Sequence, residues 1–361
     1  MAADLSMGGH EVHIYEHPKF TGVEETLKPI RDKGGITLTA RDDFGVEFAP
    51  PGGGKVGFTK VSMATTDMKE AIKGVELIMV IVPAFAQKIL MEAFVPYLED
   101  GQVVVFSPGN FATLDYFNSM KEKCDKKVTI AEAECMIYAC RRTGPASVRI
   151  KNYKEKVKIA AMPAAETNRA LKVISNAYKV YYPGTNVFDT SLNNVNTVLH
   201  PASALLNVVK IEELGAHKGT HYSATPSVGK VMVAVDKEKM AVAKALGLYP
   251  EPTKEILERY YGAHGKDFYE TMCNCKPYQK QITPDSMMHR YVHEDIPFGQ
   301  VPIASIGEQV KVPTPTMKGL ITIASVFNEI DYWRMGRSAE NLGLGGMNAQ
   351  QMTNYVTLGS K

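Results

Sequence analysis

The chain has 361 residues, 45% of them hydrophobic and 22% charged, which is the balance of an ordinary globular protein with length for two domains and argues against disorder, collagen-like repeats or a coiled coil. Its 41 basic and 39 acidic residues leave a formal charge of +2, too small an excess to draw nucleic acid or an anionic membrane across the surface. Neither is expected as a partner.

In chain order, the opening MAADLSMGGHEVHIYE reads as the tail of a helix running into a strand, EVHIYE at residues 11–16. No basic stretch precedes an apolar run there, so no secretory signal is expected. Glu16 closes the strand, and an acid in that position of a dinucleotide-binding fold can accept hydrogen bonds from both ribose hydroxyls of adenosine while repelling a 2′-phosphate. Such a fold sets a first strand and a GxGxxG turn about 20 residues ahead of that acid. Only fifteen residues precede Glu16, so the expectation is a cofactor domain without its first strand and glycine loop, with weakened cofactor binding.

Between residues 34 and 61, ITLTA, VEFAP and VGFTK read as extended pieces of a hairpin-like excursion. VELIMVIVP (residues 75–83) and QVVVFSPGN (102–110) are apolar runs suited to strands buried on both faces. The helix-length segment between them carries Ile89, Leu90, Phe94 and Leu98 at helical spacing, which makes a strand, helix, strand unit and a parallel sheet. Residues 77–87 run without a charge, far short of the roughly 20 that span a bilayer. VTIAEAE and KVKIAAMP continue the sheet. From about residue 185 the pattern turns helical, at 190–214, 227–246, 253–261 and 314–335. The expected fold is a Rossmann-type doubly wound parallel sheet over residues 1–185, lacking its first strand, then an all-α domain over 186–361.

In LNNVNTVLHPASALLN, Pro201 is expected near a helix start. Asn193, Asn194, Asn196 and Asn207 are more amides than a core helix accepts unpaired, so this helix should border a polar cavity. His200 within it has the imidazole chemistry for proton transfer near neutral pH. HRYVHEDIPFG supplies Asp295 as an orienting partner and Arg290 as a planar fork for a carboxylate; by itself this segment also reads as a surface cluster of mixed charge. The pairs His217/His221 and His289/His293 and the CNC at Cys273 and Cys275 invite a metal reading, but no Cys-x2-Cys knuckle exists and no metal is expected. Arg141 and Arg142 either add charge to a cleft or are solvated. Five cysteines, odd in number and sparse, suit reduced thiols in the cytoplasm.

The chain resembles the opine dehydrogenases, the octopine/nopaline dehydrogenase family. The resemblance runs through AADLSMGGHEVHIYEH, VELIMVIVPAFAQ, DGQVVVFSPGNF, NNVNTVLHPASALLN, TPSVGKVMVAVDKEKMAVAKALGL, HRYVHEDIPFGQVPIAS, VPTPTMKGLITIAS and DYWRMGR. It implies NAD(P)H-dependent reductive joining of an amino acid or amine to a 2-oxo acid. It also implies His200 and Asp295 as catalytic residues, Arg290 and Asn196 at the substrate, and Glu16, Val82, Pro83 and Gly109 at a cofactor, NAD being favoured over NADP by Glu16. A homodimer is compatible with it. Two alternatives remain at this point. One is a ketopantoate-reductase-like dehydrogenase, weakened because its lysine has no counterpart between Lys179 and Lys210; the other is a non-catalytic remnant that binds nucleotide or amino acid.

Overall fold

The computed structural model describes residues 1–40, 51–216, 224–279 and 282–360. Its strands are β1 (His13–Tyr15), β2 (Gly35–Ala40), β3 (Gly57–Lys60), β4 (Met63–Thr65), β5 (Leu77–Val80), β6 (Val103–Phe106), β7 (Thr129–Ala133), β8 (Tyr138–Gly144), β9 (Ser147–Tyr153), β10 (Val157–Met162) and β11 (Tyr181–Pro183). Helices α1 (Ala2–Met7), α2 (Val23–Lys33), α3 (Met68–Ile72), α4 (Ala84–Phe94), α5 (Ala112–Ser119) and α6 (Thr167–Ala177) alternate with them. Beyond β11 the described residues form no further ladder strand, and the chain is helical: α7 (Val187–Leu192), α8 (Asn196–Leu205), α9 (Val208–Leu214), α10 (Pro226–Ala245), α11 (Thr253–Tyr261), α12 (Phe268–Asn274), α13 (Arg290–His293), α14 (Val301–Gln309), α15 (Pro315–Asn328), α16 (Tyr332–Met335) and α17 (Ala349–Leu358). A π-helical turn, Ile296–Gln300, joins α13 to α14.

The central sheet has the order β11-β10-β7-β6-β5, with β5, β6 and β7 parallel. Strand β6, between β7 and β5, is VVVF, and its alternate residues enter two different cores. Val103 and Val105 join the large core with α6, α7 and the later helices, while Val104 and Phe106 meet Leu90, Met91 and Phe94 of α4 and Tyr116 of α5. A strand covered by helices on both faces has no solvent side, so it reads as an unbroken apolar run. The doubly wound α/β architecture followed by helices is as expected.

Four details depart from the sequence reading. β10 runs antiparallel to β7, because no crossover helix separates them; the chain instead returns through the hairpin β8–β9, which the sequence reading did not identify. β5 is only partly buried at Leu77, Ile78 and Met79, since among the described residues it pairs with β6 alone, and β1 pairs only with β4 in a separate parallel ladder. Residues 190–214 are not one helix but α7, α8 and α9, interrupted at residues 193–195 and 206–207. Residues 314–335 split where Glu329 takes a left-handed φ of 52°. ITLTA and VGFTK do pair antiparallel, as β2 and β3; VEFAP lies outside the described residues.

Buried charge fastens the sheet to the helices. Lys158 on β10 is 3.0 Å from both Asp189 of α7 and Glu251, and Arg259 of α11 is 2.9 Å from both Glu134 and Glu251. Each carboxylate thereby gains a cation that offsets part of its burial penalty. The result holds α7, and the junction behind it, against the C-terminal end of the sheet.

Candidate active site

Helix α8 is built around a proline. Pro201 is not at its start, as the sequence suggested, but in its sixth position. It lacks the N–H that would reach the carbonyl of Thr197, four residues back. Gln300 Nε2 donates to that oxygen instead, at 3.0 Å. The π-helical turn can come this close because Gly299 has no side chain: a Cβ there would sit 2.6 Å from Thr197 Oγ1. The segment from residue 289 to 300 is thus keyed to the helix that carries His200.

His200 and Asp295 are both buried, and His200 Nδ1 lies 2.8 Å from Asp295 Oδ2. Burial lowers the imidazole well below its ordinary range, with the Arg290 guanidinium and Arg141 acting in the same direction. Burial pushes the Asp295 carboxyl up to about 7 against the opposing pull of Arg290. Each shift disfavours charge on the buried pair and so favours the neutral imidazole, whose Nδ1 is placed to share a hydrogen bond with Asp295. Tyr291 lies flat against the imidazole, ring centroids 3.7 Å apart and planes within 12°.

Arg290 opens α13, half-exposed, with its Nε 2.8 Å from Oε2 of the buried Glu294 one turn later. The contact has ion-pair distance without hydrogen-bond alignment. The other Glu294 oxygen accepts from Ala84 N at 3.0 Å, so the arginine is tethered to the first turn of α4, immediately after Val82 and Pro83. Asn196 begins α8, one turn before His200 and on the same face; its side-chain amide makes no hydrogen bond among the described residues.

The other amides are occupied. Asn194 donates to the Asn110 side chain and accepts from Asn196 N, Asn193 donates to Asp189, and Asn207 donates to Ser203 O. They brace the junction. The loop after β6 is held on all sides. Gln87 donates to Pro108 O, Arg337 to Asn110 O, and Phe111 N to Ser191 Oγ. Asn110 and Phe111 take left-handed φ values of 51° and 64°, which non-glycine residues adopt only when surrounding bonds enforce it. A Cβ on Gly109 would meet Glu132 Cβ at 2.6 Å. Glu132 itself is fully buried, bonded by Thr113 N and the hydroxyls of Thr190 and Ser191.

Glu16, Val82, Pro83 and Gly109 all follow the C-terminal ends of parallel strands β1, β5 and β6, where open α/β sheets bind ligands. Glu16 is half-buried and its carboxylate has no hydrogen-bond partner among the described residues; burial raises it, opposed by Arg142. A half-buried acceptor without a donor fits ribose hydroxyls. The glycine-rich run at residues 52–54 is committed elsewhere, since Gly52 N and Gly54 N both donate to the buried Asp4 at 2.8 Å.

Of the remaining candidates, Arg142 donates to Glu25 O and Thr26 Oγ1 and so holds α2, while Arg141 is exposed but acts electrostatically on His200 and His289. His289 Nδ1 accepts from Tyr291 N, and His293 Nδ1 meets Tyr332 OH at 3.1 Å. Among the described residues no group of three metal-ligating side chains occurs; His217 and His221 lie outside them. All five cysteines are free.

Residues 183–328 match the family model of the NAD/NADP octopine/nopaline dehydrogenase alpha-helical domain. An opine dehydrogenase of Arthrobacter sp. (strain 1C) is 30% identical over 359 residues, covering 98% of this chain and 97% of that protein. The ocs protein of Agrobacterium vitis is also 30% identical, over 90% of this chain and 87% of its own. The chain belongs to the opine dehydrogenase family. A solved octopine dehydrogenase in complex with NADH and agmatine superposes over all of this chain and 95% of its own with a TM-score of 0.75 at 17% identity, which establishes the shared fold. Membership makes the protein an NAD(P)-dependent oxidoreductase of the CH–NH group, joining an amino acid or amine to a 2-oxo acid by reduction. Among the described residues no helix is long and apolar enough to cross a membrane.

Sequence reasoning missed Tyr291, Glu294, Gln300 and Glu132. The spacing of Glu294, four residues after Arg290, was a usable signal for an ion pair; the other three act through space on distant segments.

Proposed function

We propose that His200, oriented by Asp295, is the acid/base of the reductive condensation, and that Arg290 holds the carboxylate of the 2-oxo acid. The observation that carries this reading is the buried 2.8 Å pair between His200 Nδ1 and Asp295 Oδ2, with an arginine five residues before the aspartate on the segment that supplies it. With Nδ1–H donating to Asp295, Nε2 is the basic nitrogen, so one imidazole can take a proton from the substrate ammonium, freeing the amine to attack the carbonyl, and return it to the hydroxyl that departs as water. Arg290 fixes the oxo acid by charge-assisted bonds from its fork, and Glu294 keeps that fork in place. Asn196, on the His200 face of α8, offers an amide to the same substrate.

A bound NAD(P)H supplies the hydride that reduces the imine carbon. Glu16 would hold its adenosine ribose, and Val82, Pro83 and Gly109 would line it. A carboxylate at Glu16 favours NAD over NADP by repelling a 2′-phosphate. The division into a cofactor unit over residues 1–185 and a helical catalytic unit over 186–361 follows the change from strands to helices after β11. Five free thiols suit a reducing cytoplasm.

Steady-state kinetics with NADH, pyruvate and a panel of amino acids test the assignment. His200→Ala should lower kcat by roughly 10²-fold or more with little change in NADH affinity. Arg290→Ala should raise the oxo acid KM at least tenfold, as loss of a charge-assisted bidentate contact of about 2–4 kcal/mol requires. Wild-type turnover by the first variant removes His200 from the mechanism; a rise confined to the amino acid KM in the second assigns the clamp to the other substrate.

A further inference from the structure

We propose that Tyr291 is a positioning residue for His200, its ring face fixing the tilt of the imidazole that the Asp295 hydrogen bond leaves undetermined. This rests on the acid/base reading of His200 given above. The bond from Nδ1 to Asp295 Oδ2 anchors one corner of the ring; by itself it lets the ring turn about that line and carry Nε2 with it. A flat neighbour removes this freedom. Tyr291 stacks on His200 with centroids 3.7 Å apart and planes 12° from parallel, closer than the usual 4.5–7 Å separation of aromatic pairs.

The same helical turn delivers both constraints. Tyr291 and Asp295 are four residues apart, and the backbone stays right-handed helical through Glu294 and Asp295, which sets both side chains on one face. Tyr291 is in turn fixed from behind. Its backbone N–H bonds to His289 Nδ1, and the His289 ring stands against it edge-on at 4.6 Å and 87°. One segment therefore presents a carboxylate to the edge of the imidazole and a ring to its face.

The stack also has an electrostatic consequence. The groups that act on His200 are Asp295, Glu294, Arg290 and His289 from its own partner segment, and Arg141 from β8. Burial and the two arginines oppose protonation. The negative face of the tyrosine ring favours it, as aromatic faces favour cations. Tyr291 thus makes the imidazolium form more accessible without adding a titratable neighbour that is charged at neutral pH.

The experiment compares the full chain with Tyr291→Phe and Tyr291→Met, reading kcat, KM and pH profile, together with the tautomer and titration of His200 in protein carrying 15N-histidine, assigned by its loss in His200→Ala. Tyr291→Phe keeps the face and should retain turnover within about threefold. Tyr291→Met should lose at least tenfold in kcat with each KM within about twofold, with the acid limb of its profile moved to lower pH and a second His200 tautomer present. Wild-type kcat and profile in Tyr291→Met overturn the proposal, as does equal impairment of the phenylalanine variant. Should His200→Ala turn over normally, the acid/base reading falls separately; the His200 resonances still decide positioning, since an unchanged tautomer and titration in Tyr291→Met overturns it and a changed one supports it. If Tyr291→Met lacks native near-UV circular dichroism, pentafluorophenylalanine at position 291 keeps the size while reversing the charge of the face. The acid limb should then move to lower pH, and an unaltered profile refutes the electrostatic part.

Discussion

Gln300 donates to the Thr197 carbonyl at 3.0 Å, in the place of the backbone N–H that Pro201 lacks. This one side chain joins a proline-containing helix to the segment that supplies Arg290, Tyr291 and Asp295. Thr197 is buried, so its oxygen has no water to replace a lost donor. Leaving it unsatisfied costs about 1–3 kcal/mol. Gln300→Leu should therefore lower Tm by a few degrees, and because α8 carries His200 it should reduce kcat more than it alters KM for cofactor. Calorimetry and steady-state kinetics check both, and a variant with unchanged Tm and kcat would show that α8 is held by packing alone.

The sheet and the candidate site residues could be picked out of the sequence for different reasons. β6 could be read because VVVF is apolar at every position, the signature of a strand covered on both faces. Direction was not readable, as the antiparallel β10 shows, because periodicity records which residues are buried and not which way the strand runs. The hairpin β8–β9 was missed because YACRRTG and SVRIKNY carry their charges on a mostly half-exposed sheet and lack clean alternation. His200, Asp295 and Arg290 were singled out with the help of the family resemblance, since by residue type alone HRYVHEDIPFG reads equally as a surface cluster of mixed charge. Tyr291, Gln300 and Glu132 were not, since an aromatic, an amide and an acid acquire their roles only from a partner that folding brings near. Pro201 misled for the same reason: Gln300, 99 residues further on, makes a mid-helix proline tolerable.

Asp295→Asn should separate activity from stability. The Asp295 carboxyl is raised by burial to about 7 in the folded protein from a reference of 3.8, so the folded state holds its proton more tightly than the unfolded chain. Its contribution to stability is full below pH 3.8, declines as pH rises towards 7, and is lost above. An asparagine carries no charge and can still accept from His200 Nδ1–H. The variant should therefore have a higher Tm than the parent above pH 7, with the advantage shrinking towards pH 4, while kcat falls by at least tenfold. Thermal denaturation across pH 4–9 decides the matter; a lower Tm at pH 8 would mean that the ionised carboxylate is held by its cations more strongly than burial opposes it.

Glu16 offers a test of cofactor choice that is independent of catalysis. Its half-buried carboxylate follows β1 without a hydrogen-bonding partner among the described residues, and in the proposed arrangement it accepts from the ribose. Glu16→Ser removes the charge that repels a 2′-phosphate and shortens the acceptor. NADH should bind at least fivefold more weakly and the preference for NADH over NADPH should narrow. Fluorescence titration with each cofactor gives the two Kd values, and equal Kd values for NADH in parent and variant would place the ribose elsewhere.

Gly109 tests whether the loop after β6 has any freedom. An added methyl would lie 2.6 Å from Cβ and Cδ of Glu132 and 2.8 Å from its Oε1, and Glu132 cannot swing aside. One of its oxygens is bonded by the hydroxyls of Thr190 and Ser191, the other by Thr113 N, and burial holds the carboxyl among them with its affinity for a proton raised. Moving the loop is no easier, because Gln87, Arg337 and Ser191 fix Pro108, Asn110 and Phe111 on either side. The clash falls on a side chain's root and not on a flexible end, so overpacking should cost about 1–3 kcal/mol. Gly109→Ala should accordingly lower Tm by several degrees and weaken NADH binding at least tenfold, whereas Glu132→Ala in the same chain makes room for the methyl. In the double variant, NADH affinity should recover relative to Gly109→Ala alone even though Glu132→Ala by itself destabilises the protein. Titration of the four chains with NADH reads this coupling, and strictly additive effects would show that the methyl and the carboxylate do not meet.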